Sequence, residues 1–451
     1  MGEWGCHSPA GIAGYRAIGC GGIDLRRFAG CLVRIRFFVA VILLLTILGS
    51  GATPLQAETE AAAKLGPNGS EKLGPNGSEK LGPNGSEKLG PNGPMVGIEL
   101  GSGLWQKTFA SEIKGSRIRV QTFAKQWLLP SPVILRAYKG SILVSGRSFD
   151  EPIRLQAEEG ALDYDGLTLE GNIECWPEDS LGWTILERLP MERYLPGVVA
   201  KEVSASSFAP AALRAQAIAA RTYALYHTLI RPDQRRHVYA TTRSQVYGGS
   251  KDIPIEVKEA VEATRGQVLM TDGQVFESFF HSTCGGVTCS GETYFNLTPM
   301  AALSSVNCGE CHKAKYYRWQ LQLPEAVLRD AVSRVASRYG IEVGKIRKVT
   351  PAEVSKSGFV SYLEVRHDKG SLEISTRQLR GSLSSLETPV RLRSTAFDVI
   401  AVEGGFLFRG RGYGHGVGMC QMGAKGHAAN GKDHDEILRH YYRDTEIRKL
   451  W

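Results

Sequence analysis

The stretch RYLPGVVAKEVSASSFAPAALRAQAIAARTYALYHTL, Arg193 to Leu229, decides the fold class of this chain. Its first part predicts a helix that begins near Pro196, because proline suits the first turn of a helix. After SSFAP, the sequence predicts a second helix from about Pro210 to Leu229, whose many alanines make it thin enough to pack very close to its neighbours. The sequence therefore predicts helices from about Met191 onward, whereas the region before Met191 has a different pattern.

That earlier region, from Val96 to about Pro190, reads as strands. Short alternations such as SRIRVQTF and ILVSG are separated by Gly, Pro and Asp turns. The chain is therefore predicted to be an α+β protein, with a β-rich N-terminal domain over residues 96–190 and a mixed helix-and-sheet domain over residues 191–451. Within the second domain we expect a hairpin between Gln267 and His281, a helix near Glu325 to Tyr339, strands from Phe359 to Phe408, and a last helix capped by Asp433 and Glu436.

Two segments precede these domains. The first segment is typical of a secretory signal. It has an arginine-rich flank, then the short apolar run FFVAVILLLTIL, then a region of small residues that ends at Ala57. The run is short for the roughly 30 Å hydrocarbon core, for which about 20 residues are needed, so a signal peptide over residues 1–57 is favoured over a membrane anchor. The repeat LGPNGSEK then predicts a flexible linker over residues 58–95. We expect an exported protein of the periplasm or cell envelope that meets a membrane only through its N-terminal segment.

The charge of the chain argues against a nucleic-acid partner. Lysine plus arginine number 54 against 46 acids, which gives a formal net charge of +8. This excess is spread along the chain, without the basic blocks or aromatic-basic alternation of nucleic-acid surfaces. It indicates mild attraction to anionic polymer or lipid and little more.

Glu202 is the first candidate for chemistry. It lies one helical turn after Val198 and Val199, so its carboxyl shares their side of the helix and can be held against apolar surface. Such a setting moves a carboxyl pKa from about 4.3 toward about 6, at a desolvation cost of roughly 2 kcal/mol. The alternative is an exposed glutamate that pairs with Lys201 or a nearby arginine.

Cysteines mark a second candidate site, within HSTCGGVTCS and NCGECHK. Cys284 and Cys289 form one close pair and Cys308 and Cys311 another, the layout by which four thiolates hold tetrahedral zinc, with His281 and His312 as reserve ligands. Two disulfides are the alternative in an oxidising compartment, although C-x-x-C is a cramped disulfide ring and a common metal clip. Cys420, further along, is interpreted as a small residue packed under a tight loop.

The segment RGRGYGHGVGMCQMGAKG, Arg409 to Gly426, places glycine at every second position from Gly410 to Gly418. We expect extended backbone whose bare face lets a strand or a sugar ring approach closely, with Arg411, Tyr413 and His415 on the other face. Strand-then-helix context is missing, so this is not a nucleotide-binding loop. Four other polar residues have small residues as sequence neighbours, and each taken alone is more often structural than functional: Arg221, Tyr223, Gln245 and Tyr247.

Taken together, these motifs resemble the stage II sporulation protein D family. RYLPGVVAKEV with ALRAQAIAARTYAL, then SQVYGG, FFHSTCGGVT and RGRGYGHGVGMCQMGA occur in the family's order, over roughly Met191 to Trp451. The β-rich part resembles the N-terminal portion that many members carry. The resemblance implies action on peptidoglycan, since the sporulation protein is a lytic transglycosylase that cuts glycan strands stripped of their stem peptides, while related members are described as enhancers of cell-wall amidases.

The resemblance also implies roles for single residues. The catalytic glutamate corresponds to Glu202, followed here by Val203 where the family usually has Met. Zinc is bound by some members near His281 and Cys284, which favours a metal over disulfides. The family's Ser-Gln-Trp run reads Cys-Gln-Met here, and the implied substrate contacts are Arg221, Tyr223, Arg411, Tyr413, His415 and Gln421.

Three functions follow as expectations. The first is lytic cleavage between N-acetylmuramic acid and N-acetylglucosamine with Glu202 as the single acid and base, which yields a 1,6-anhydro end; a distant acid such as Glu277 or Glu292 is an open alternative partner. The second is a non-catalytic peptidoglycan-binding protein that positions a cell-wall amidase. The third, hydrolysis by zinc-activated water, ranks last because four cysteines leave the metal no open position.

Overall fold

The computed structural model describes residues 17–18, 90–101, 111–138, 140–178 and 182–451. The predicted leader, apart from two residues, and the linker up to residue 89 lie outside these ranges. Among the described residues, no helix is long and apolar enough to cross a membrane.

Helices and strands are mixed throughout, which confirms the α+β prediction. The helices are α1 (Met191–Glu202), α2 (Pro210–Leu229), α3 (Ile255–Ala263), α4 (Gly291–Phe295), α5 (Glu325–Ala336), α6 (Thr376–Ser384), α7 (Gln421–Ala429) and α8 (His434–Tyr441), with 3₁₀ turns at Ala205–Ser207, Ala301–Leu303 and Ser337–Tyr339. The strands are β1 (Ala17–Ile18), β2 (Met95–Gly101), β3 (Ser111–Lys114), β4 (Arg117–Gln121), β5 (Gln126–Pro130), β6 (Val133–Tyr138), β7 (Ser141–Val144), β8 (Arg147–Phe149), β9 (Ile153–Ala157), β10 (Leu162–Tyr164), β11 (Leu167–Leu169), β12 (Asn172–Glu178), β13 (Gly182–Pro190), β14 (Val238–Tyr239), β15 (Gln267–Thr271), β16 (Gln274–Val275), β17 (Phe280–His281), β18 (Trp319–Pro324), β19 (Ile346–Val354), β20 (Val360–His367), β21 (Gly370–Ser375), β22 (Phe397–Val402), β23 (Gly405–Gly410), β24 (Met419–Cys420) and β25 (Glu446–Lys449).

Strands β2 to β13 form two sheets, one of which β14 joins at its edge. One has the order β11-β10-β3-β6-β7-β8, and the other β14-β2-β13-β12-β9-β4-β5. All pairs are antiparallel except β14 with β2, which are parallel. The sheets meet where β12 and β13 contact β7, and alternate residues of these strands point into the space between them. This is the β-rich region that the alternating sequence predicts.

Helix α2 lies at the centre of the second half of the chain. Helices α1, α3, α7 and α8 and strand β15 all contact it. Fifteen of its 20 residues are buried, many of them alanines. Small side chains let this many elements approach one helix, and the predicted bounds of the helix are confirmed.

Helix α1 begins earlier than the sequence predicted. It starts at Met191, directly after Pro190, so that Pro196 lies inside the helix rather than at its first turn. An interior proline removes one backbone hydrogen bond and crowds the preceding turn. Burial of the apolar face of α1, including Tyr194, Leu195 and Val198, outweighs that cost.

The described residues form two hydrophobic cores. The first runs from Val96 to Tyr442 and joins the N-terminal strands to the helices around α2. The second contains only residues between Trp319 and Phe408. Strands β18, β23 and β22 form one sheet of this second unit, β21, β20 and β19 another, and α5 and α6 complete it. We call residues 319–410 the inserted subdomain; β1 pairs with its β21. The division of the chain at residue 190 stays a prediction.

Candidate functional site

Glu202 is the last residue of α1 and its side chain is buried, with 7% of the residue exposed. The backbone N–H of Val246 donates to Oε1 at 2.9 Å, and the side-chain amide of Gln421 donates to Oε2 at 3.3 Å. Burial raises the pKa of Glu202 to about 8, because desolvation penalises the carboxylate, and the two hydrogen bonds act in the opposite direction. The raised pKa favours the protonated form of the carboxyl near neutral pH.

The loop that supplies Val246 is fixed by its neighbour Gln245. The hydroxyl of Tyr194 donates to Oε1 of Gln245 at 3.1 Å, and the amide of Gln245 donates to the carbonyl of Ala220 at 3.1 Å. These bonds tie the loop to both α1 and α2. Because a buried amide must satisfy both its donor and its acceptor, Gln245 holds the Val246 N–H in position against Glu202.

Gln421 begins α7, and the side chain of Cys420 caps that helix by accepting from the N–H of Gly423. The amide of Gln421 also lies 3.5 Å from Oε1 of Gln216, a buried residue of α2. Sequence reasoning missed Gln216, although a glutamine within an alanine-rich helix is a usable signal. It also missed Val246, which acts through its backbone and leaves no side-chain signal.

Arg221 lies elsewhere, in a buried ion pair. Its guanidinium donates to both carboxylate oxygens of Glu192, at 2.9 and 2.8 Å, and to the backbone carbonyls of Val261 and Gln267 at 3.2 Å. Arg221 is 0% exposed. In this arrangement it holds α1, α2, α3 and the start of β15 together and offers no surface to a sugar.

Tyr223, Tyr413 and His415 are also buried. The ring of Tyr223 packs against His227 and that of Tyr413 against Tyr316, with centroids 4.5 and 5.0 Å apart. His415 is 1% exposed; Nε2 bonds to the carbonyl of Phe280 at 2.8 Å, and Nδ1 accepts from the N–H of Val417 at 3.0 Å. Burial lowers the pKa of His415 well below its usual value, so the ring is neutral. These three side chains face protein in this structure.

The glycine segment is not extended, contrary to expectation. Gly412, Gly414, Gly416 and Gly418 all have positive φ, between 66° and 112°. A Cβ on Gly418 would lie 1.9 Å from the carbonyl oxygen of Phe279, and one on Gly416 would lie 2.6 Å from the ring of Phe359. The close approach that glycine permits is therefore made by the protein's own backbone and a phenylalanine, along a segment that bends at Gly414 and Gly418.

Four buried cysteines form a cluster, which is a candidate metal site. The Sγ atoms of Cys284, Cys308, Cys311 and Cys420 all lie within 4.8 Å of one another, and those of Cys284 and Cys311 are 3.5 Å apart. Four sulfurs bound at about 2.3 Å around a tetrahedral ion are separated by a little under 4 Å, so the set fits one metal ion. No disulfide joins the six cysteines between residues 175 and 420, all of which lie in the described ranges.

Two of the predicted ligands lie outside this cluster. Cys289 and His281 do not belong to it, and its fourth thiol is that of Cys420, which the sequence had suggested as packing under a loop. The reason is the parallel pairing of β17 with β24, which sets His281 opposite Cys420. The N–H of Cys284 lies 3.3 Å from the sulfur of Cys420 as a result. The His281 ring bonds instead to the carbonyl of Val417 at 3.0 Å, and burial lowers its pKa to about 4.

The remaining predicted contact, Arg411, is half-buried beside this cluster. Its guanidinium donates to the carbonyls of Cys284 at 2.9 Å and Val287 at 3.2 Å, and to that of Ser357. It thus connects the cysteine motif to the inserted subdomain. Of the six predicted substrate contacts, only Gln421 is hydrogen-bonded to Glu202 in the described part of the chain.

Comparison with known proteins identifies the class. Residues 179–270 match the family described as stage II sporulation protein, and residues 295–418 match a family described only as a domain of unknown function. An uncharacterized protein of Brachyspira hyodysenteriae is 31% identical over 300 residues, 66% of this chain and 77% of the relative. Stage II sporulation protein D of Bacillus subtilis is 30% identical over 277 residues, 58% of this chain and 75% of that protein. A Bacillus subtilis protein named amidase enhancer is 27% identical over 291 residues, 56% of this chain and 40% of its own length.

The chain belongs to the stage II sporulation protein D family. The first match contains α1, α2 and the loop of Val246, and so most of the surroundings of Glu202. The second match contains the whole inserted subdomain, which has its own core. The resemblance seen in the ordered motifs is thereby confirmed.

Proposed function

We propose that this protein cleaves peptidoglycan glycan strands as a lytic transglycosylase, with Glu202 as its acid and base. One observation carries the proposal: a buried carboxyl is held by two hydrogen bonds at the end of a helix, in surroundings that raise its pKa. A positioned group whose pKa is near the working pH is what acid-base catalysis requires. The strands proposed as substrate are those already stripped of stem peptides.

The reaction needs a single carboxyl. Glu202 donates its proton to the glycosidic oxygen between N-acetylmuramic acid and N-acetylglucosamine, and the bond from C1 to that oxygen breaks. The C6 hydroxyl of the muramic acid then attacks C1 and gives its proton to the Glu202 carboxylate. The muramic acid gains a 1,6-anhydro ring, the N-acetylglucosamine gains a free 4-hydroxyl, and Glu202 regains its proton, so no water is consumed.

The surroundings of the other acids support this one-carboxyl scheme. Oε1 of Glu277 is bonded to Nε2 of His227 at 3.0 Å, and Glu292 is exposed. Neither residue is bonded to Glu202 in the described part of the chain. Hydrolytic glycosidases instead use two carboxyl groups that flank the bond.

Zinc is the metal proposed for the cysteine cluster. Four thiolates in tetrahedral arrangement are the usual structural zinc site, and such a site has no position left for water. Bound zinc would supply folding energy to the turns around Cys284 and Cys420 rather than a reactant. Glu202 and its hydrogen-bond donors therefore carry the chemistry.

A second function has support from one relative, the Bacillus subtilis protein named amidase enhancer. On that alternative the protein binds peptidoglycan without cutting it and stimulates a cell-wall amidase. Both functions place the protein outside the cytoplasm, as the leader predicts. The names of the relatives alone do not distinguish them.

Digestion of purified glycan strands tests the proposal. Wild-type protein and Glu202→Gln are incubated with peptide-stripped strands and the ends are identified by mass spectrometry. We expect 1,6-anhydro ends from wild type and a rate lower by about 10²–10⁴ in the variant. Ordinary reducing ends, or undiminished cleavage by Glu202→Gln, would contradict the mechanism. Strand binding without cleavage, together with stimulation of an added amidase, would establish the enhancer function instead.

A further inference from the structure

A groove of about 810 Å³ lies on the inserted subdomain and is lined by residues between Arg318 and Arg411. This volume is in the range in which proteins hold small-molecule ligands, about 300–1,000 Å³. Its walls come from the end of the sheet β18-β23-β22 and from the neighbouring residues Val354, Gly358 and Arg411. The residues that matter for its chemistry are Arg318, Trp319, Phe397, Asp398, Arg409 and Arg411.

Two of the three arginines are fixed in place without losing their charge. Arg318 donates to the carbonyls of Gly285 and Tyr317, at 2.9 Å each, and Arg411 donates to three backbone carbonyls. Carbonyls are neutral acceptors, so they orient a guanidinium but do not cancel its positive charge. These contacts hold the two charged groups at the groove in advance of any ligand.

The third arginine, Arg409, is exposed. Within the part of the chain that the structure describes, its guanidinium has no hydrogen bond or ion pair. Asp398 is its cross-strand neighbour in the sheet and contributes the one carboxylate among these lining residues. With three guanidinium groups and one carboxylate, this wall of the groove carries a net positive charge of two.

The next row of the same sheet is apolar. Trp319 and Phe397 flank Gly410 on the two neighbouring strands, and their ring centroids lie 6.3 Å apart. The bare Gly410 gives the indole ring its space, since a Cβ there would lie 2.4 Å from Cε2 of Trp319. Among the described residues, no hydrogen-bond acceptor meets the indole Nε1–H. Both rings are buried in the second core, on the face of the sheet opposite Arg409 and Asp398, so the groove offers a ligand its guanidinium groups rather than aromatic surface.

We propose that this groove binds the lactyl carboxylate of muramic acid in peptide-stripped glycan strands. The inference rests on the proposed function for the identity of the polymer. In an intact strand that carboxyl is joined to the stem peptide as a neutral amide. Removal of the peptide leaves one carboxylate on each muramic acid, directly attached to the sugar, and a guanidinium recognises a carboxylate through paired, charge-assisted hydrogen bonds. The groove thus gives the protein a way to select stripped strands by their charge.

Arg409 provides the cleanest test, because its side chain makes no hydrogen bond or ion pair among the described residues. Arg409→Gln is made in the full chain together with Glu202→Gln, so that the strands are not consumed. The matched control is Arg338→Gln, an exposed arginine of the same subdomain that does not line the groove. Affinity is measured by calorimetry for three probes: peptide-stripped strands, the same strands with their carboxylates converted to methylamides, and strands that retain their peptides.

We expect Arg409→Gln to weaken binding of stripped strands about fivefold at low ionic strength, and Arg338→Gln to leave it unchanged. Binding of methylamide strands should be weaker in the parent and insensitive to Arg409→Gln. Equal loss in both arginine variants, or an equal dependence on Arg409 for methylamide or peptide-bearing strands, would overturn the inference. Product analysis with Glu202 intact tests the two proposals separately. Cleavage that does not depend on Arg409 would contradict only the proposed role of the groove. Binding that depends on Arg409 but yields no 1,6-anhydro products would contradict only the catalytic proposal.

Discussion

The side-chain amide of Gln421 donates a 3.3 Å hydrogen bond to Oε2 of Glu202, although 219 positions separate the two residues in the chain. This bond joins the end of the glycine segment to the end of α1, the two motifs that carry the family resemblance. An amide donor stabilises the carboxylate form and therefore opposes the rise in pKa that burial causes. The glycine segment thus acts on Glu202 through Gln421.

Removal of that amide should raise the pKa of Glu202 further. In Gln421→Met we expect the alkaline limb of the pH profile of kcat/KM to move upward by about one pH unit, the worth of one hydrogen bond to a charged group. The profile is measured by release of 1,6-anhydro ends. The control is Met422→Leu, a volume-conserving change at the next residue, which should leave the profile in place. An identical limb in wild type and Gln421→Met would contradict the assignment.

The wild-type protein should lose activity at alkaline pH. With the pKa of Glu202 raised to about 8, the carboxyl is mostly protonated at pH 7 and mostly ionised at pH 9. Because the protonated form is the proposed acid, kcat/KM should fall about tenfold per pH unit above pH 8. A profile that instead rises through pH 8 would indicate that Glu202 acts first as a base.

Glu202 should also make the stability of the protein depend on pH. The unfolded carboxyl ionises near pH 4.5, whereas the folded one stays protonated up to about pH 8, so the folded state binds more protons between these values. Its contribution is fully present below pH 4.5 and is lost as pH rises to 8. Glu202→Gln, which cannot ionise, should therefore gain stability relative to wild type across this window, by on the order of 3–5 kcal/mol. Urea unfolding at pH 5 and pH 8 measures the difference, and parallel curves would argue against a raised pKa.

The features predicted correctly from sequence are those that depend on residues close together in the chain. The bounds of α2 follow from Pro210 and an unbroken run of helix formers, and the capping box of Asp433 and Glu436 is present as predicted. The burial of Glu202 follows from its place one turn after Val198 and Val199. Each of these inferences needs contacts within only a few residues of the chain.

What sequence did not predict depends on distant contacts. Cys420 lies 136 positions from Cys284, and only the parallel pairing of β17 with β24 brings its sulfur to the cluster in place of Cys289. The inserted subdomain was likewise not visible, because its strands alternate like those of any sheet, and what separates it is a second core. Regular alternation of glycines suggested an extended strand, but glycine adopts positive φ as readily as negative φ, and here every second residue from Gly412 to Gly418 has positive φ.

The two cysteines give a matched test of the metal site. Cys420→Ser should lose bound zinc and unfold at lower temperature, because one sulfur of the cluster is gone. Cys289→Ser, an equally buried cysteine outside the cluster, should retain one zinc per chain. Zinc content is measured by atomic emission and thermal unfolding by circular dichroism, with and without a chelator. Equal zinc content in wild type and Cys420→Ser, or loss of zinc in Cys289→Ser, would indicate that Cys289 is the fourth ligand, as expected from sequence.

Variants of Arg221 test whether this residue has a structural role or makes the substrate contact that the resemblance implies. In Arg221→Met the carboxylate of Glu192 is left buried without its ion-pair partner, and we expect a loss of about 3–5 kcal/mol of stability. The double variant Arg221→Met with Glu192→Gln removes that charge while an amide oxygen still accepts from Gly266 and Trp451, so it should recover part of the loss. Urea unfolding measures both. The KM of the folded protein for glycan strands should stay near the wild-type value, whereas a raised KM with unchanged stability would show that Arg221 contacts the sugar.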